Sequence, residues 1–512
     1  MRKRVAIVGA GPGGLASGML LASAGYQVTV AEKQPHVGGR CSRLTLGDYS
    51  FDMGPTFLMM PDLLRELFQS VGRNLDDYIT MMPVDPLYRL KFGETEFTPT
   101  MNRQETKERI EALFPGNGAG YERFLREEEL KFNKVMPLLQ QPFTRLSDYL
   151  KGNVFAALPK LHLMDTVHSR LSKYFTDERL ITAFSFQAKY LGMSPWDCPG
   201  TFTILSYLEH AYGLFHPIGG VNRICHAMAE IIKEYGGEVM LDAGVEEIVV
   251  RNGKATGIRL ENGKTVDADD VVINADFGTA VTQLFAPGVI RKYGTQSLAK
   301  KKWSCSTFMM YLGIDGEVDL PHHNIYFAGD YRTNVEDITR TKILSTDPSI
   351  YVHNPGRLDS TLAPAGKTAL YVLLPTPNLT GPVEWDQVKN KLREQVLLRL
   401  EQEPELRGLS SRIEVEKIIT PQQWQDDVHV YKGATFNLAH TLDQMMYLRP
   451  HNRFEEVDRC WLVGGGTHPG SGLPTILESA KISSGMLMER DLKSGYRATT
   501  AVPGMAKGGR IG

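Results

Sequence analysis

Residues 5–14 read VAIVGAGPGG, an apolar run that breaks into a glycine-rich turn. A periodic apolar segment follows at 15–24, and a second apolar run at 28–31 ends in Glu32. Strand, glycine turn, helix, strand and acidic residue succeed one another in the order of the dinucleotide fingerprint G-x-G-x-x-G. We therefore expect the chain to begin with a unit that binds a dinucleotide. A tight turn that holds no ligand is the alternative.

Three glycines occupy the fingerprint positions, and each has a physical role. Gly9 lets the chain turn off the strand, Gly11 lets the backbone approach a pyrophosphate, and Gly14 lets the helix pack close to the sheet. The N–H groups at the helix N-terminus then face the phosphates. Glu32 is placed to accept hydrogen bonds from ribose hydroxyls. Because its charge disfavours a 2′-phosphate, we expect FAD or NAD rather than NADP.

The composition of the 512 residues bounds the remaining possibilities. With 42% hydrophobic and 23% charged residues, the chain is typical of a globular protein long enough for two or more domains. A net charge of −2 gives no case for nucleic-acid binding. The sequence contains no run of about 20 apolar residues, so it predicts no membrane-spanning helix. The cysteines are scattered, odd in count and without a CxxC pair, which favours a reducing compartment and argues against disulfides or a zinc site. They are Cys41, Cys198, Cys225, Cys305 and Cys460.

The period of the apolar pattern changes to two after residue 237. Short runs between 238 and 266 predict a β-meander with hairpin turns, and 271–274 predicts a buried return strand. Such a meander fits an FAD-sized domain and favours FAD over NAD. Near the C-terminus, an apolar run at 460–463, a glycine-rich turn and a helix at 475–492 repeat the N-terminal order.

Nucleotide-type elements thus lie at the start, the middle and the end of the chain. We predict a discontinuous nucleotide domain, a substrate domain built from the insertions, and a substrate pocket at their junction. The expected boundaries are 1–85, 215–290 and 450–494 for the nucleotide domain, 86–214 and 291–449 for the substrate-binding and helical domain, and 495–512 for a disordered tail.

The insertion between 103 and 190 has an almost wholly helical pattern. One part of it, 146–174, mixes apolar residues with lysine and arginine, and an amphipathic basic segment of this kind can lie on anionic lipid. An ordinary core-facing helix with a solvated face is the alternative. The helices predicted in this insertion cover 104–113, 119–140, 145–151, 162–175 and 177–190.

Few side chains suggest acid–base or metal chemistry. His322 and His323 are adjacent, and neighbours in a strand point to opposite faces, so we expect no metal site there. His468 lies in the C-terminal glycine turn and is a candidate for approaching a flavin; a turn residue satisfied by the backbone is the alternative. A flavin domain without a clear acid–base pair suits a hydride transfer in which the cofactor carries the chemistry.

Five sequence blocks carry a resemblance to a known family. They are VAIVGAGPGGL (5–15), VGGR (37–40), YSFDMGPT (49–56), FHPIGGV (215–221) and GGGTHPGSGLPTILESAK (464–481). Together they resemble the bacterial-type carotenoid desaturases, the FAD-dependent group that acts on phytoene or on dehydrosqualene (4,4′-diapophytoene). The first block alone also occurs in amine oxidases, whereas the last is far more specific.

The resemblance implies an α/β fold and a chemistry. The fold is a discontinuous, Rossmann-like FAD-binding domain of the glutathione-reductase type, as in amine oxidases, with an inserted α+β substrate domain and a helical part facing the membrane. The reaction is hydride transfer from a long apolar C30 or C40 polyene to flavin N5, which introduces successive conjugated double bonds. Oxygen or a quinone would take the electrons, and the enzyme would be cytoplasmic and peripherally attached to the cell membrane.

The resemblance also carries over a set of FAD-binding positions but no catalytic residue. These positions are Gly9, Gly11, Gly14, Glu32, Lys33, Gly39, Arg40, Gly54, Pro55, Thr56, Val245, Asp276, Gly466, Gly472, Leu473 and Pro474. A carotenoid terminal-methyl oxidase and a carotenoid isomerase remain as alternatives on the same scaffold. A flavin amine oxidase and a non-enzymatic flavoprotein remain as further alternatives.

Overall fold

The computed structural model describes residues 2–496, so positions 497–512 of the predicted tail lie outside the described residues. Tyr496 still belongs to the fold, because its hydroxyl accepts a hydrogen bond from the backbone N–H of Lys3 at 3.0 Å. The five cysteines are buried and unpaired, in agreement with the sequence. No helix within 2–496 combines the length and the apolar character that crossing a bilayer would require.

The strands within the described residues are β1 (Arg4–Val8), β2 (Gln27–Ala31), β3 (Arg43–Leu46), β4 (Tyr49–Asp52), β5 (Leu58–Met59), β6 (Met81–Val84), β7 (Arg89–Phe92), β8 (Thr95–Phe97), β9 (Leu214–Pro217), β10 (Glu238–Met240), β11 (Val245–Arg251), β12 (Lys254–Leu260), β13 (Thr265–Asp267), β14 (Asp270–Ile273), β15 (Ser306–Ile314), β16 (His323–Tyr326), β17 (Ile350–His353), β18 (Thr368–Thr376), β19 (Ile413–Ile419) and β20 (Cys460–Leu462).

The α-helices in the same range are α1 (Pro12–Ser23), α2 (Pro61–Ser70), α3 (Arg103–Leu113), α4 (Gly118–Leu139), α5 (Gly152–Ala157), α6 (Val167–Leu171), α7 (Glu178–Ser185), α8 (Ile204–Tyr212), α9 (Asn222–Glu234), α10 (Phe277–Gln283), α11 (Thr295–Ala299), α12 (Tyr331–Glu336), α13 (Trp385–Leu400), α14 (Pro421–Asp426) and α15 (Leu473–Lys493).

A parallel sheet forms the centre of the nucleotide part, with strand order β10-β2-β1-β14-β20. Ile7 on β1 lies opposite Val30 on β2 and Val272 on β14, and every neighbouring pair in this sheet is parallel. All five strands come from the three segments that the sequence assigned to the nucleotide domain. The domain boundaries themselves remain a prediction.

Both faces of the parallel sheet are covered, which explains why the run VAIV is continuously apolar. Val5 and Ile7 pack among residues of α1, α9 and α15. Ala6 and Val8 point to the opposite face, where the antiparallel meander β11-β12-β13 covers the sheet. The strands and turns of β11–β13 confirm the meander that the period-two pattern predicted. Residues 238–240, which the prediction included in the meander, instead form β10 and pair in parallel with β2.

A second, seven-stranded sheet has the order β19-β15-β18-β17-β16-β7-β8. One face of its central strands packs on α13, through residues such as Phe308 and Leu312. The other face carries Met309 and Tyr311, which pack against Phe51 of β4. Because alternate residues of β15 point to opposite faces, one strand serves both the core of the insertion and its contact with the nucleotide part.

The helical insertion differs from its prediction in three segments. Residues 162–175 were predicted as one helix, but only α6 is helical there, since His162 takes a left-handed φ of 47° and the Thr166 side chain caps a new N-terminus by accepting a hydrogen bond from Ser169 N–H. Residues 145–151, which were predicted as a helix, form a 3₁₀ turn instead. Residues 177–190, also predicted as one helix, form α7 followed by a 3₁₀ segment. The predicted helices 104–113 and 119–140 are confirmed as α3 and α4, each within one residue.

Candidate functional site

The turn between β1 and α1 has the geometry that its glycines predict. Gly9 has a φ of 93°, a left-handed value that favours glycine. A Cβ on Gly14 would collide with the carbonyl oxygen of Gly9, so only glycine allows the helix to start this close to the strand. Gly11 is the N-cap of α1, and no side chain caps this helix. The N-terminus of α1 therefore leaves N–H groups for an anionic ligand.

Glu32, at the end of β2, is fixed by the same turn. Its Oε2 accepts a hydrogen bond from Ala10 N–H at 2.7 Å, and its Oε1 accepts one from Gln34 N–H at 2.9 Å. Each carboxylate oxygen keeps a further lone pair, so the buried carboxylate can still accept bonds from two ribose hydroxyls. The start of the meander lies beside it, because Ala243 N–H donates to the carbonyl of Glu32 at 2.8 Å and Val245 opens β11.

The loop VGGR closes against the fingerprint turn. Gly38 N–H donates to the carbonyl of Ala10 at 2.8 Å. A Cβ on Gly39 would lie 3.5 Å from Cα of Gly11, so a glycine of this loop faces a glycine of the fingerprint turn. Lys33, by contrast, forms a solvent-exposed ion pair with Glu261 at 3.0 Å.

Arg40 and Asp276 form a half-buried ion pair at 2.5 Å. Arg40 also donates to the carbonyl of Thr435 at 2.8 Å, and Asn437 donates to Asp276 Oδ2 at 2.8 Å. Burial raises the pKa of Asp276, and the Arg40 guanidinium opposes that shift. The sequence assigned Arg40 to the cofactor phosphates. In the structure the guanidinium of Arg40 contacts Asp276 and Thr435, which hold it at the edge of the predicted cofactor site.

Gly54, Pro55 and Thr56 form the turn between the nucleotide part and the second sheet. The hydroxyl of Tyr311 donates to the carbonyl of Met53 at 2.6 Å, and that of Tyr371 donates to the carbonyl of Gly54 at 2.9 Å. The Thr56 hydroxyl shares a 2.7 Å hydrogen bond with the hydroxyl of Tyr351. Three tyrosines of the second sheet thus hold this turn, so the predicted cofactor wall lies at the junction of the two parts.

The C-terminal glycine turn lies on the same side of the parallel sheet as the fingerprint. Gly472 caps α15 with a φ of 113°, and Leu473 and Pro474 form its first turn. A Cβ on Gly13 of α1 would lie 3.1 Å from Ile476 Cγ2, so the N-terminal ends of α1 and α15 adjoin. Gly466 lies against Phe277, whose Cβ leaves no space for a side chain at that position.

His468 is buried, and its ring contacts the helical insertion. Its Nε2 is 3.0 Å from the carbonyl oxygen of Gln141, and its ring lies edge-on to Phe143. Burial lowers its pKa to about 4, so the ring is neutral at physiological pH. These contacts agree with the alternative of a histidine satisfied by the backbone, and a catalytic role for His468 stays untested.

The structure contradicts the reason for expecting no metal at His322 and His323. His322 precedes β16 rather than lying within it, so the alternation of a strand does not separate the two rings. His322 Nδ1 is 3.1 Å from His323 Nε2. His216 of β9 and His353 of β17 complete a buried four-histidine cluster. Burial lowers the pKa of His322 and that of His353 well below the ordinary range.

Several buried ionisable groups escaped the sequence reasoning. Burial raises the pKa of Glu209 to about 7 and that of Asp52 to about 6, and it lowers the pKa of Lys189 to about 8. Lys189 Nζ lies 5.0 Å from the centre of the Tyr331 ring. A charged residue flanked by apolar ones, as in FQAKY (186–190), is the signal that could have indicated burial.

The residues at the carboxyl ends of the parallel strands fit a dinucleotide. An uncapped helix N-terminus supplies N–H donors, and a fixed carboxylate supplies acceptors for ribose. The turn at Gly54 lies at the junction with the seven-stranded sheet, and its residues would line the flavin end of such a cofactor.

Comparison with known proteins defines the class. The family described as flavin-containing amine oxidoreductases matches residues 12–485. Among solved structures, a putrescine oxidase superposes with a TM-score of 0.63 at 14% identity, over 96% of this chain and 100% of the other. The cyclohexylamine oxidase of Brevibacterium oxydans gives 0.59 at 14% identity, over 96% of this chain and 100% of the other. At such identities the likeness establishes the fold alone.

The curated relatives narrow the class. A 4,4′-diapophytoene desaturase (4,4′-diapolycopene-forming) from Methylomonas sp. is 46% identical over 95% of this chain and 96% of its own length. A neurosporene-forming phytoene desaturase from Rhodobacter capsulatus is 36% identical over 94% of each chain. The chain therefore belongs to the bacterial carotenoid desaturases within the flavin-containing amine oxidoreductase family. It is an FAD-dependent oxidoreductase acting on CH–CH groups. The fingerprint and the meander predicted the FAD, and the family resemblance implied the CH–CH chemistry.

Proposed function

We propose that this enzyme desaturates 4,4′-diapophytoene, the C30 substrate, in successive steps. One observation carries the choice of C30 over C40. The identity of 46% to the diapophytoene desaturase from Methylomonas sp. exceeds the 36% to phytoene desaturases, and both matches span nearly the whole chain. A second relative that acts on 4,4′-diapophytoene, from Staphylococcus aureus, is 32% identical and is named for a different product, 4,4′-diaponeurosporene. Relatives that share the C30 substrate therefore differ in the number of double bonds that they introduce.

In this reaction the residues of the chain bind the cofactor and orient the substrate towards it. When bound, FAD supplies the hydride acceptor. Glu32 and the N-terminus of α1 hold the nucleotide end. Tyr311, Tyr351 and Tyr371 fix the turn at Gly54–Thr56, whose residues would hold the flavin end of the cofactor beside the substrate. A substrate that has no polar handle would need an apolar site that excludes water at this junction.

We also propose that the segment 146–164, the lipid-facing segment, attaches the enzyme to the cell membrane. Several of its apolar side chains are exposed, with Leu150 71%, Phe155 55% and Met164 97% accessible, whereas Val154, Ala157 and Leu161 are buried. Lys151 and Lys160 lie among them. Exposed apolar residues beside lysines suit the interface of an anionic leaflet, and a polyene substrate resides in lipid.

Oxygen or a quinone completes the proposed reaction as electron acceptor. Substrate and quinone both partition into lipid, so attachment to the membrane would bring both to one enzyme. Reduced enzyme should be reoxidised faster by quinone in vesicles than by dissolved oxygen if the quinone is the acceptor. Equal rates with and without quinone would assign oxygen.

Expression in cells that accumulate either diapophytoene or phytoene tests the substrate. We expect new, longer-wavelength polyene bands in the diapophytoene strain and little colour in the phytoene strain. Oxygenated end groups in the extracted pigment would instead support a terminal-methyl oxidase, and a change of double-bond geometry without new double bonds would support an isomerase. Unchanged colourless precursor in both strains, with FAD bound, would rule the desaturase out.

A further inference from the structure

The buried histidine cluster lies where two sheets meet. His216 comes from β9 of the small sheet β5-β9-β6, whereas His322 directly precedes β16 and His353 ends β17 in the seven-stranded sheet. Each of these three side chains is at least 97% buried. One ring nitrogen from each lies within 4.8 Å of one from each of the others. Three buried imidazoles that converge from separate segments of the chain in this way match a metal-ligand set.

The nitrogen positions agree with one shared ion. His322 Nε2 and His353 Nε2 are 3.4 Å apart. Two nitrogens bonded to one zinc ion at about 2.0–2.1 Å with a tetrahedral angle are separated by about 3.3 Å. His216 Nδ1 is buried and has no hydrogen-bond partner among residues 2–496. A buried ring nitrogen without a donor is costly, and a metal ion at this point would satisfy it.

In two of these rings, the nitrogen that would face away from an ion has a hydrogen-bond partner, as the second nitrogen of a metal-bound histidine usually does. His216 Nε2 is 3.0 Å from Asp359 Oδ2, which leaves Nδ1 as the nitrogen available to a metal. His322 Nδ1 is 3.1 Å from His323 Nε2, and His323 Nδ1 is 2.7 Å from the hydroxyl of Tyr351. Carboxylate and hydrogen-bond partners of this kind fix the tautomer and the orientation of a ligating imidazole.

We propose that His216, His322 and His353 bind one divalent transition-metal ion of the zinc type. The ion would join the strand β9 to the seven-stranded sheet, and the chain His322–His323–Tyr351–Thr56 would connect it to the turn at Gly54–Thr56. Three protein ligands leave one coordination position for water. This proposal is independent of the substrate assignment, because it concerns a site outside the dinucleotide residues.

Metal content of the purified FAD-bound enzyme tests the proposal. The protein is loaded with zinc chloride, desalted and analysed for zinc and FAD per chain, alongside His216→Gln and His353→Gln. His210→Gln is the matched control, since His210 is a buried histidine that bonds Tyr88 and Tyr121 outside the cluster. We expect about one zinc per chain in wild type and in His210→Gln, and a loss of at least about tenfold in both ligand variants.

A second measurement uses wild type alone, so that a variant that fails to fold does not decide the matter. Replacing zinc by cobalt(II) should produce visible ligand-field absorption of a tetrahedral nitrogen site, and zinc should raise the melting temperature of metal-free enzyme by about 5 °C. Wild type that binds no zinc and gives no cobalt spectrum would overturn the proposal, leaving a cluster held by N–H···N bonds. Full zinc content in folded His353→Gln would overturn it as well.

Discussion

Gly11 is the residue at which the nucleotide assignment can be tested most simply. A Cβ at this position would lie 2.7 Å from Asn274 Nδ2 and would stand on the path of the pyrophosphate. We expect Gly11→Val to lower FAD content at least about tenfold, because both the backbone approach and the fit against Asn274 are lost. FAD per chain is measured by absorbance after gel filtration.

The matched control for Gly11→Val is Gly485→Ala. Gly485 lies inside α15, where an added Cβ meets no atom within 4 Å. This variant should retain FAD and gain up to about 1 kcal/mol of stability, since alanine favours a helix interior. Stoichiometric flavin in Gly11→Val would show that the pyrophosphate lies elsewhere.

Glu209 gives the fold a specific pH dependence. Burial raises its pKa to about 7, against 4.5 for an ordinary glutamate, while Gln187 donates to its Oε2 at 2.8 Å. The folded chain therefore binds this proton more tightly than the unfolded chain does. The resulting stabilisation is complete below the unfolded pKa and is lost as the pH rises through the folded pKa.

Glu209→Gln should remove that loss. Between about pH 4 and pH 8, the free energy of unfolding of wild type should fall relative to the variant by up to about 3 kcal/mol. Urea unfolding at several pH values measures the difference, with the exposed Glu238→Gln as control. A difference between wild type and Glu209→Gln that does not change with pH would mean that Glu209 is ionised with an ordinary pKa.

At the scale of elements, the lipid-facing segment 146–164 makes a prediction about membranes. Leu150→Ser combined with Phe155→Ser removes two exposed apolar side chains, each able to contribute about 1.5–3 kcal/mol on entering lipid. We expect binding to anionic vesicles to fall at least about tenfold in a flotation assay, while FAD content and melting temperature stay unchanged.

The control for this element is an exposed leucine on another helix. Leu398 of α13 is 66% accessible, similar to Leu150, but it lies outside the segment. Leu398→Ser should bind vesicles as wild type does. If it weakens binding as much as the double variant, the segment has no special part in attachment.

Elements with strong local signals were predictable, and those set by distant contacts were not. The run VAIV and the following glycines gave β1 and α1 because turn chemistry and apolar period agree over a short stretch. The segment 162–175 was misread, since the apolar period continues through a left-handed turn at His162. The histidine cluster was missed because its members are separated by more than 100 residues, from His216 to His322.

At the scale of the whole molecule, the turn at Gly54–Thr56 connects the nucleotide part to the seven-stranded sheet, two of whose strands supply hydrogen bonds to it. Tyr371 and Gly54 are 317 positions apart in sequence yet share a hydrogen bond. The discontinuous arrangement could be inferred from the repeated strand–glycine–helix order and from the family resemblance. The tyrosines that hold the turn, and the protein partners of Arg40, could not be inferred, because no periodicity specifies which residue of a strand will meet a loop of another segment.

The central claim is that electrons pass from a C30 polyene to the FAD of this chain. Purified enzyme is mixed without oxygen with vesicles that contain 4,4′-diapophytoene, and the absorbance of oxidised flavin is followed together with polyene extraction. We expect the flavin to be reduced as a new conjugated product appears, faster than with phytoene and not at all with an amine such as putrescine. Flavin that stays oxidised with both hydrocarbons, or that is reduced by the amine, would contradict it.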